Sequence, residues 1–211
     1  MPTSRRSRPR SSSCSSACTT SAFRIRRIAS RRWPLAPARG PSGDLRLRVV
    51  GAAPADVRLA RRAIRVALLP ARLSTDTELT LAFVDDEEIR GLNARHRGQD
   101  RVTDVLSFGP TLPPDVRGAA VARHLERGVD GSLELGDIVL SPEQARRQSK
   151  RRRWTVKEEI AFLAAHGALH LIGYEDDTPR GYREMRRLGE QAVREARQIL
   201  KKSRGHGRPE H

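Results

Sequence analysis

The chain has 211 residues, of which 37% are hydrophobic and only 4% aromatic, enough for one domain with a core but not for a core along its whole length. No apolar run approaches the length of a membrane span, which excludes an integral membrane protein and predicts a soluble one. The formal charge of +16 is unevenly spread, because ten arginines precede Asp44, the first acidic residue. The remainder is still basic, as expected for a protein that binds polyanions or for a genome rich in arginine codons.

Residues 1–43 are mostly Arg, Ser and Pro without periodicity, which predicts a disordered basic extension. The same composition is typical of an organellar targeting peptide, and a wrongly assigned start codon is a further interpretation. Cys14 and Cys18 both lie in this extension, so the folded part has neither a disulfide nor a thiolate ligand. That pattern points to a reducing compartment and to a metal site built from histidine and carboxylate.

The remaining chain alternates between strand and helix patterns. Period-two alternation predicts four strands, at 45–50, 77–85, 104–108 and 133–141. Helical spacing and capping residues predict helices at 54–69, 85–92, 142–150, 155–172 and from residue 178 onwards. A loop rich in Pro and Gly is expected at 109–131. These elements predict a small single α+β domain at 44–202, with helices packed on a mixed four-stranded sheet, and a flexible tail at 203–211.

The helix predicted at 155–172 carries His166 and His170 on one face, one turn apart. Two imidazoles at that separation can bind one metal ion. Gly173 is expected to end the helix, because glycine readily adopts the left-handed conformation of the C′ position. The alternative is that both histidines are satisfied by backbone carbonyls or face solvent.

After the predicted turn the chain can return to the same ion. Asp176 is the natural third ligand in that register, and Glu175 and Asp177 are neighbours that could compete with it. Carboxylate oxygen is an ordinary zinc ligand, and three protein ligands leave a fourth position for water. The sequence therefore predicts a metal site on a helix and the turn that follows it.

Gly167 occupies the position at which zinc peptidases of the HExxH type hold their glutamate base. The absence of that glutamate disfavours a peptidase, because another residue would have to act as the base. Glycine inside a helix costs about 1 kcal/mol relative to alanine. We interpret it as leaving space for a substrate or for water bound to the metal.

Three segments, in this order along the chain, carry a resemblance to a known family: LNARHRGQDRVTDVLSFG at 92–109, LGDIVLS at 135–141 and HGALHLIGY at 166–174. They resemble the signature of the YbeY family of single-strand-specific endoribonucleases, over residues 44–202. The resemblance implies one zinc ion per chain, with His166 and His170 as ligands and Asp176 where the family has its third histidine. It also implies that Arg97 contacts RNA, with His96 in place of the usual preceding tyrosine.

The resemblance further implies a metal-dependent endoribonuclease that acts in ribosomal RNA processing, notably at the 3′ end of the small-subunit RNA, and in ribosome quality control. Its partners would be single-stranded RNA and the ribosome or its small subunit, in the cytoplasm, or in an organelle if residues 1–43 are a targeting peptide. Two alternatives remain: a zinc hydrolase of another substrate, including peptides, and a non-catalytic ribosome-associated metal-binding protein. The basic runs at 150–153 and 201–208 could follow an RNA backbone or form solvated surfaces.

Overall fold

The computed structural model describes residues 45–51, 53–54 and 57–205. In these ranges the strands are β1 (Arg46–Gly51), β2 (Thr77–Phe83), β3 (Val105–Phe108), β4 (Glu126–Arg127) and β5 (Leu133–Leu140). The α-helices are α1 (Arg58–Leu68), α2 (Asp86–Arg97), α3 (Pro142–Arg152), α4 (Val156–Leu171) and α5 (Pro179–Gly205). The predicted extension at 1–43 and the tail from residue 206 lie outside the described residues.

The strands form one mixed sheet in the order β1-β2-β5-β3. β1, β2 and β5 run parallel, whereas β3 is antiparallel to β5 and forms an edge of the sheet. The two-residue β4 also pairs with β5, near its start. β4 lies in the segment predicted as a loop at 109–131, which also contains a 3₁₀ helix at Gly118–His124. The predicted α+β class with a mixed sheet is confirmed, with this short fifth strand added to the predicted four.

The centre of the fold is α4, which packs against α1, α3 and α5 and against strands β3 and β5. Its buried side chains include Ile160, Phe162, Leu163 and Leu169. A helix that is apolar around most of its circumference belongs in the interior of a domain. Any functional side chain on α4 is therefore carried by the most enclosed helix among the described residues.

Local capping explains where two helices begin. The hydroxyl of Thr155 accepts from the backbone N–H of Glu158, and the Glu158 carboxylate accepts from the backbone N–H of Thr155. The predicted capping box of α4 is thus confirmed. At the start of α2, the Asp85 carboxylate accepts from the backbone N–H of Glu88 at 2.8 Å.

The last helix, α5, packs against α1 and α4 and continues to Gly205, beyond the domain end predicted at residue 202. Its buried side chains are Met185, Ala192, Val193 and Ala196. In the described part of the chain, no helix combines the length and the apolar character needed to cross a membrane.

Deletion of residues 1–43 is expected to leave the unfolding temperature and the metal content of the protein unchanged, because that segment has too few apolar residues to add to a core. Circular dichroism melting and elemental analysis of the full and shortened chains provide the test. A shortened chain that aggregates, or melts more than about 5 °C lower, contradicts the prediction. Weaker RNA binding at low salt is compatible with it, since ten arginines attract polyanions in any conformation.

Candidate metal centre

His166 and His170 lie one turn apart in the C-terminal half of α4, as the sequence predicts. Their side chains are 15% and 19% exposed, so each ring is largely enclosed but still partly open to solvent. The ring of Phe162 stacks on that of His166 with 5.9 Å between centroids, and the two imidazoles meet edge to face at 4.9 Å. These contacts restrict the rotation of both histidine rings.

The turn that ends α4 is a Schellman motif centred on Gly173. The N–H of Gly173 donates to the carbonyl of His170 at 3.0 Å, and the N–H of Tyr174 donates to the carbonyl of Leu169 at 3.1 Å. The φ angle of Gly173 is 82°, and a Cβ here would lie 2.2 Å from the carbonyl oxygen of Val116. Only glycine fits this position, and the predicted helix end is confirmed.

Beyond the turn, Asp176 returns to the two imidazoles. Its Oδ2 lies 3.2 Å from Nε2 of His166, and its Oδ1 lies 3.8 Å from Nε2 of His170. The three ligand atoms all lie within 4.8 Å of one another, and no other group of His, Cys, Asp or Glu in the described residues has such geometry. Ligands placed tetrahedrally at about 2.1 Å from zinc are about 3.4 Å apart, so small shifts suffice to enclose one ion.

The carboxylates of Glu175 and Asp177, which could compete with Asp176, lie in different positions relative to the two imidazoles. Glu175 approaches the other nitrogen of His170, with 3.8 Å between Oε2 and Nδ1. That Nδ1 lies 3.0 Å from the carbonyl oxygen of Tyr174, which can only accept, so the proton is on Nδ1 and the lone pair of Nε2 remains for a metal. The side chain of Asp177 lines a neighbouring surface cavity. The geometry therefore favours Asp176 as the third ligand.

The electrostatic environment also fits a metal. Burial lowers the pKa of His166 and His170 below the usual value of 6.5, and His166 lowers that of His170 further, while the nearby Asp176 acts in the opposite direction. Metals bind the neutral imidazole, so both rings are in the binding form at neutral pH. The Nδ1 of His166 is buried and has no hydrogen-bond partner among the described residues. Two neutral imidazoles and one carboxylate form a donor set that can bind a metal ion such as zinc.

Gly167 has a different role from the one interpreted from the sequence. A Cβ at this position would lie 2.9 Å from Cγ2 of Ile138 and 2.9 Å from Oγ of Ser107. The Ser107 hydroxyl also donates to the carbonyl of Gly167 at 3.2 Å. The glycine therefore lets α4 approach β3 and β5 closely, and the space that it leaves is filled by the sheet rather than by substrate or water.

Gly167→Ala is expected to lower the free energy of unfolding by about 1 kcal/mol. Overpacking at a closed contact costs about 1–3 kcal/mol, which exceeds the gain of about 1 kcal/mol in helix propensity. Gly91→Ala in α2 is the matched control, because a Cβ there has nothing within 4 Å, and it should stabilise the protein. Urea unfolding of both variants decides the matter, and a stabilised Gly167→Ala protein contradicts the close-contact explanation.

Arg97 is the last residue of α2 and is exposed, and within the described residues it forms neither a hydrogen bond nor an ion pair. Its neighbour His96 contacts the ring of Phe108 edge to face, with centroids 4.9 Å apart. Phe108 follows Ser107 on β3, and Ser107 bonds to Gly167 between the two histidines. The end of α2 and the histidine-bearing part of α4 thus both contact the edge strand β3.

One buried charge near this site was not predicted from the sequence. Glu159 is fully buried in α4, although an acidic residue in the first turn of a helix is ordinarily solvated. It precedes His166 by seven residues, two helical turns, which places both on one face of the helix. That spacing is the signal that could have identified it.

Sequence comparison matches this chain to one family of known proteins. The family model described as Endoribonuclease YbeY matches residues 53–197, more than half of the chain. The Endoribonuclease YbeY of Desulforamulus reducens is 38% identical over 134 residues, which are 64% of this chain and 82% of that protein. That of Thermoanaerobacter sp. (strain X514) is 36% identical over 135 residues, 64% of this chain and 84% of that protein.

Among solved structures, the solution structure of TM1509 from Thermotoga maritima is similar with a TM-score of 0.48 and 24% identity, covering 74% of this chain and 93% of that chain. The assignment rests on the sequence comparisons, in which the matched range of the family model includes α4 and the turn after it. The chain belongs to the YbeY family of endoribonucleases.

Proposed function

We propose that this protein is a zinc-dependent endoribonuclease that cuts single-stranded RNA. Its substrate would be ribosomal RNA, notably the 3′ end of the small-subunit RNA, and it would act in maturation and quality control of the ribosome in the cytoplasm. The observation that carries the proposal is the convergence of two imidazole Nε2 atoms on the carboxylate of Asp176 in a member of an endoribonuclease family.

Three side chains would hold one zinc ion: His166, His170 and Asp176. When bound, the ion supplies positive charge that polarises a phosphoryl group and acidifies water. The carbonyl of Tyr174 fixes the orientation and the tautomer of His170, and the ring of Phe162 packs on His166. Both imidazole ligands are therefore oriented before the ion binds, which helps to position a metal precisely enough for catalysis.

Arg97 would bind the phosphate of the strand. A guanidinium offers two parallel donors to two phosphate oxygens, which orients the group as well as neutralising it. Because Arg97 forms no hydrogen bond or ion pair in the described part of the chain, its donors are available to a ligand. Alignment and charge neutralisation are the main demands of phosphodiester cleavage.

A zinc peptidase is the competing enzyme class, and the packing of Gly167 opposes it. Where a peptidase needs a glutamate, even a Cβ would lie 2.9 Å from Ile138 and Ser107, so a glutamate side chain does not fit without displacing the sheet. A non-catalytic ribosome-associated metal protein is the remaining alternative, and it differs from the proposal in a single measurable property, RNA cleavage.

Treatment with a chelator is expected to abolish cleavage of a single-stranded RNA, and added zinc is expected to restore it, because the ligands can hold the ion reversibly at a site partly open to solvent. The assay uses one RNA as a single strand and the same RNA in a duplex, together with a peptide substrate. Cleavage of the single strand alone supports the proposal. Peptide cleavage indicates the hydrolase alternative. A protein that binds zinc and RNA but cleaves neither the RNA nor the peptide indicates the non-catalytic alternative.

A further inference from the structure

Arg152, in the basic run at 150–153, lies against two aromatic rings. Its guanidinium carbon is 4.3 Å from the centroid of the Phe162 ring and 5.5 Å from that of Trp154. The two rings meet edge to face at 5.6 Å. Cation–π contacts of this kind hold a guanidinium in place and leave its N–H groups, which lie in its own plane, for other partners.

The third neighbour of Arg152 is the buried Glu159. Its Oε1 lies 3.7 Å from Nε of Arg152, too far for a hydrogen bond. Both carboxylate oxygens of Glu159 and the Nη1 of Arg152 are buried and have no hydrogen-bond partner within the described residues. A buried ion pair without hydrogen bonds contributes little stability, because the lost hydration is not replaced. Folding alone therefore gives no good reason for this arrangement.

The same aromatic ring connects Arg152 to the metal centre. Phe162 stacks on His166 at 5.9 Å, as well as lying 4.3 Å from the guanidinium of Arg152. Because both distances are measured to the Phe162 ring, the guanidinium carbon of Arg152 cannot be farther from the His166 ring than the sum of the two. Each strand of double-stranded DNA carries one phosphate charge per about 3.4 Å of helix axis, and an extended single strand spaces its phosphates somewhat more widely. A strand with one phosphate at the metal therefore has another within reach of Arg152.

The other members of the basic run differ from Arg152. Lys150, Arg151 and Arg153 are exposed, and in the described chain none of them contacts an aromatic ring or an acidic side chain. The side chain of Arg152 is 31% exposed, so it is held by the protein and still open to solvent. Within a run whose other charges are solvated, one guanidinium has a fixed position.

We propose that Arg152 binds a phosphate of the RNA strand beside the one at the metal centre, and that Glu159 is a positioning residue for it. The proposal rests on the proposed function, since it assigns a second contact to the same substrate. The part of the guanidinium that solvent reaches gains from a phosphate a charged hydrogen bond that Glu159 does not provide, and the ring of Phe162, which contacts both side chains, limits its distance from His166.

The experiment measures binding of the zinc-loaded full chain to a fluorescent single-stranded 2′-O-methyl RNA, with a gel to verify that the strand stays intact. Four variants are compared with the wild type: Glu159→Gln, the double variant Arg152→Gln/Glu159→Gln, Arg152→Lys and Arg151→Gln. The double variant removes both members of the ion pair, so no lone buried carboxylate is left to unfold the protein. Arg151→Gln removes the same charge from an exposed neighbour and is the matched control.

The double variant is expected to bind about tenfold more weakly than Glu159→Gln, as for the loss of one charged hydrogen-bonding group. The slope of log K against the logarithm of the salt concentration should be smaller in magnitude by about 0.7 for the double variant, which is the value for one phosphate contact to a single strand. Arg151→Gln should change the affinity by less than about twofold, as expected for a solvated charge. Arg152→Lys, which keeps a charge beside Glu159, should also weaken binding, because an ammonium lacks the planar group that lies over the two aromatic rings and is therefore held less firmly.

Equal losses in the double variant and in Arg151→Gln overturn the proposal, since the run then acts only as diffuse charge. If the double variant loses its zinc or its melting transition, Arg152→Lys decides: full wild-type affinity in that variant overturns the proposal as well. Failure of the wild type to bind the strand at all is a different result, because it overturns the proposed function itself.

Discussion

Arg97→Ala is expected to reduce cleavage of single-stranded RNA by about a hundredfold, the usual effect of removing one group that stabilises the charge of a transition state. The unfolding temperature and the zinc content should stay at wild-type values, because Arg97 is exposed and, among the described residues, has no partner to lose. Single-turnover cleavage, melting and elemental analysis of the same preparation measure all three quantities.

Two further variants separate a phosphate contact from a general charge effect. Arg95→Ala removes the same charge from an exposed position in the same last turn of α2 and should leave cleavage within about threefold of wild type. Arg97→Lys should remain well below wild type, because a single ammonium cannot form two parallel bonds to one phosphate. If Arg97→Ala loses zinc or melts early, Arg97 is structural and the phosphate contact is wrong.

The elements of this fold could be predicted because their signals are local. Alternation and helical spacing located β2, β5 and α4 within a few residues, and Thr155 and Glu158 placed the start of α4 correctly. The order of the strands was not available in this way. β5 lies between β2 and β3 through pairings that depend on contacts distant in the chain, and β4 is two residues long inside a segment of loop composition.

The candidate site also contains features that are local in the sequence and features that depend on tertiary packing. The four-residue spacing of His166 and His170 and the glycine at position 173 are local features, so the helix face and the turn followed from them. Gly167 was misinterpreted, because a helical glycine looks the same whether a substrate or a packed strand occupies the space beside it. Only the position of Ile138 on β5 decides between these explanations.

The contact between Arg152 and Glu159 could not be predicted from local sequence patterns. In the sequence, Glu159 resembles a solvated acid in the first turn of a helix, and Arg152 is one cation in a basic run. The seven-residue spacing places Glu159 on the helix face of His166, but its burial and the aromatic neighbours of Arg152 depend on how the end of α3 packs against α4, which no local pattern specifies. Charges that tertiary packing encloses are where sequence reasoning is weakest and where functional residues often lie.

Asp176→Ala is expected to lower zinc affinity by about a hundredfold or more. Loss of a partner in the outer shell of a metal site already costs about 10–100-fold, and Asp176 is proposed as a direct ligand. The variant should remain folded, since the Asp176 side chain is 37% exposed and leaves no cavity in the core. Zinc titration against a chromophoric chelator, with melting of the metal-free chains, measures both properties.

The two neighbouring carboxylates provide the matched controls for this register. Glu175→Ala and Asp177→Ala should keep near wild-type zinc affinity, because Glu175 faces the Nδ1 side of His170 and Asp177 lines the adjacent cavity. Asp176→His should retain zinc and cleavage, since imidazole nitrogen is as ordinary a zinc ligand as carboxylate oxygen. A neutral imidazole offsets less of the ion's charge than a carboxylate does, so water on the ion would be more acidic in this variant. RNA cleavage by Asp176→His should therefore rise at a lower pH than cleavage by the wild type. If Asp176→Ala keeps full zinc occupancy while Glu175→Ala is empty, binding of the ion rotates the turn after Gly173 and Glu175 is the third ligand.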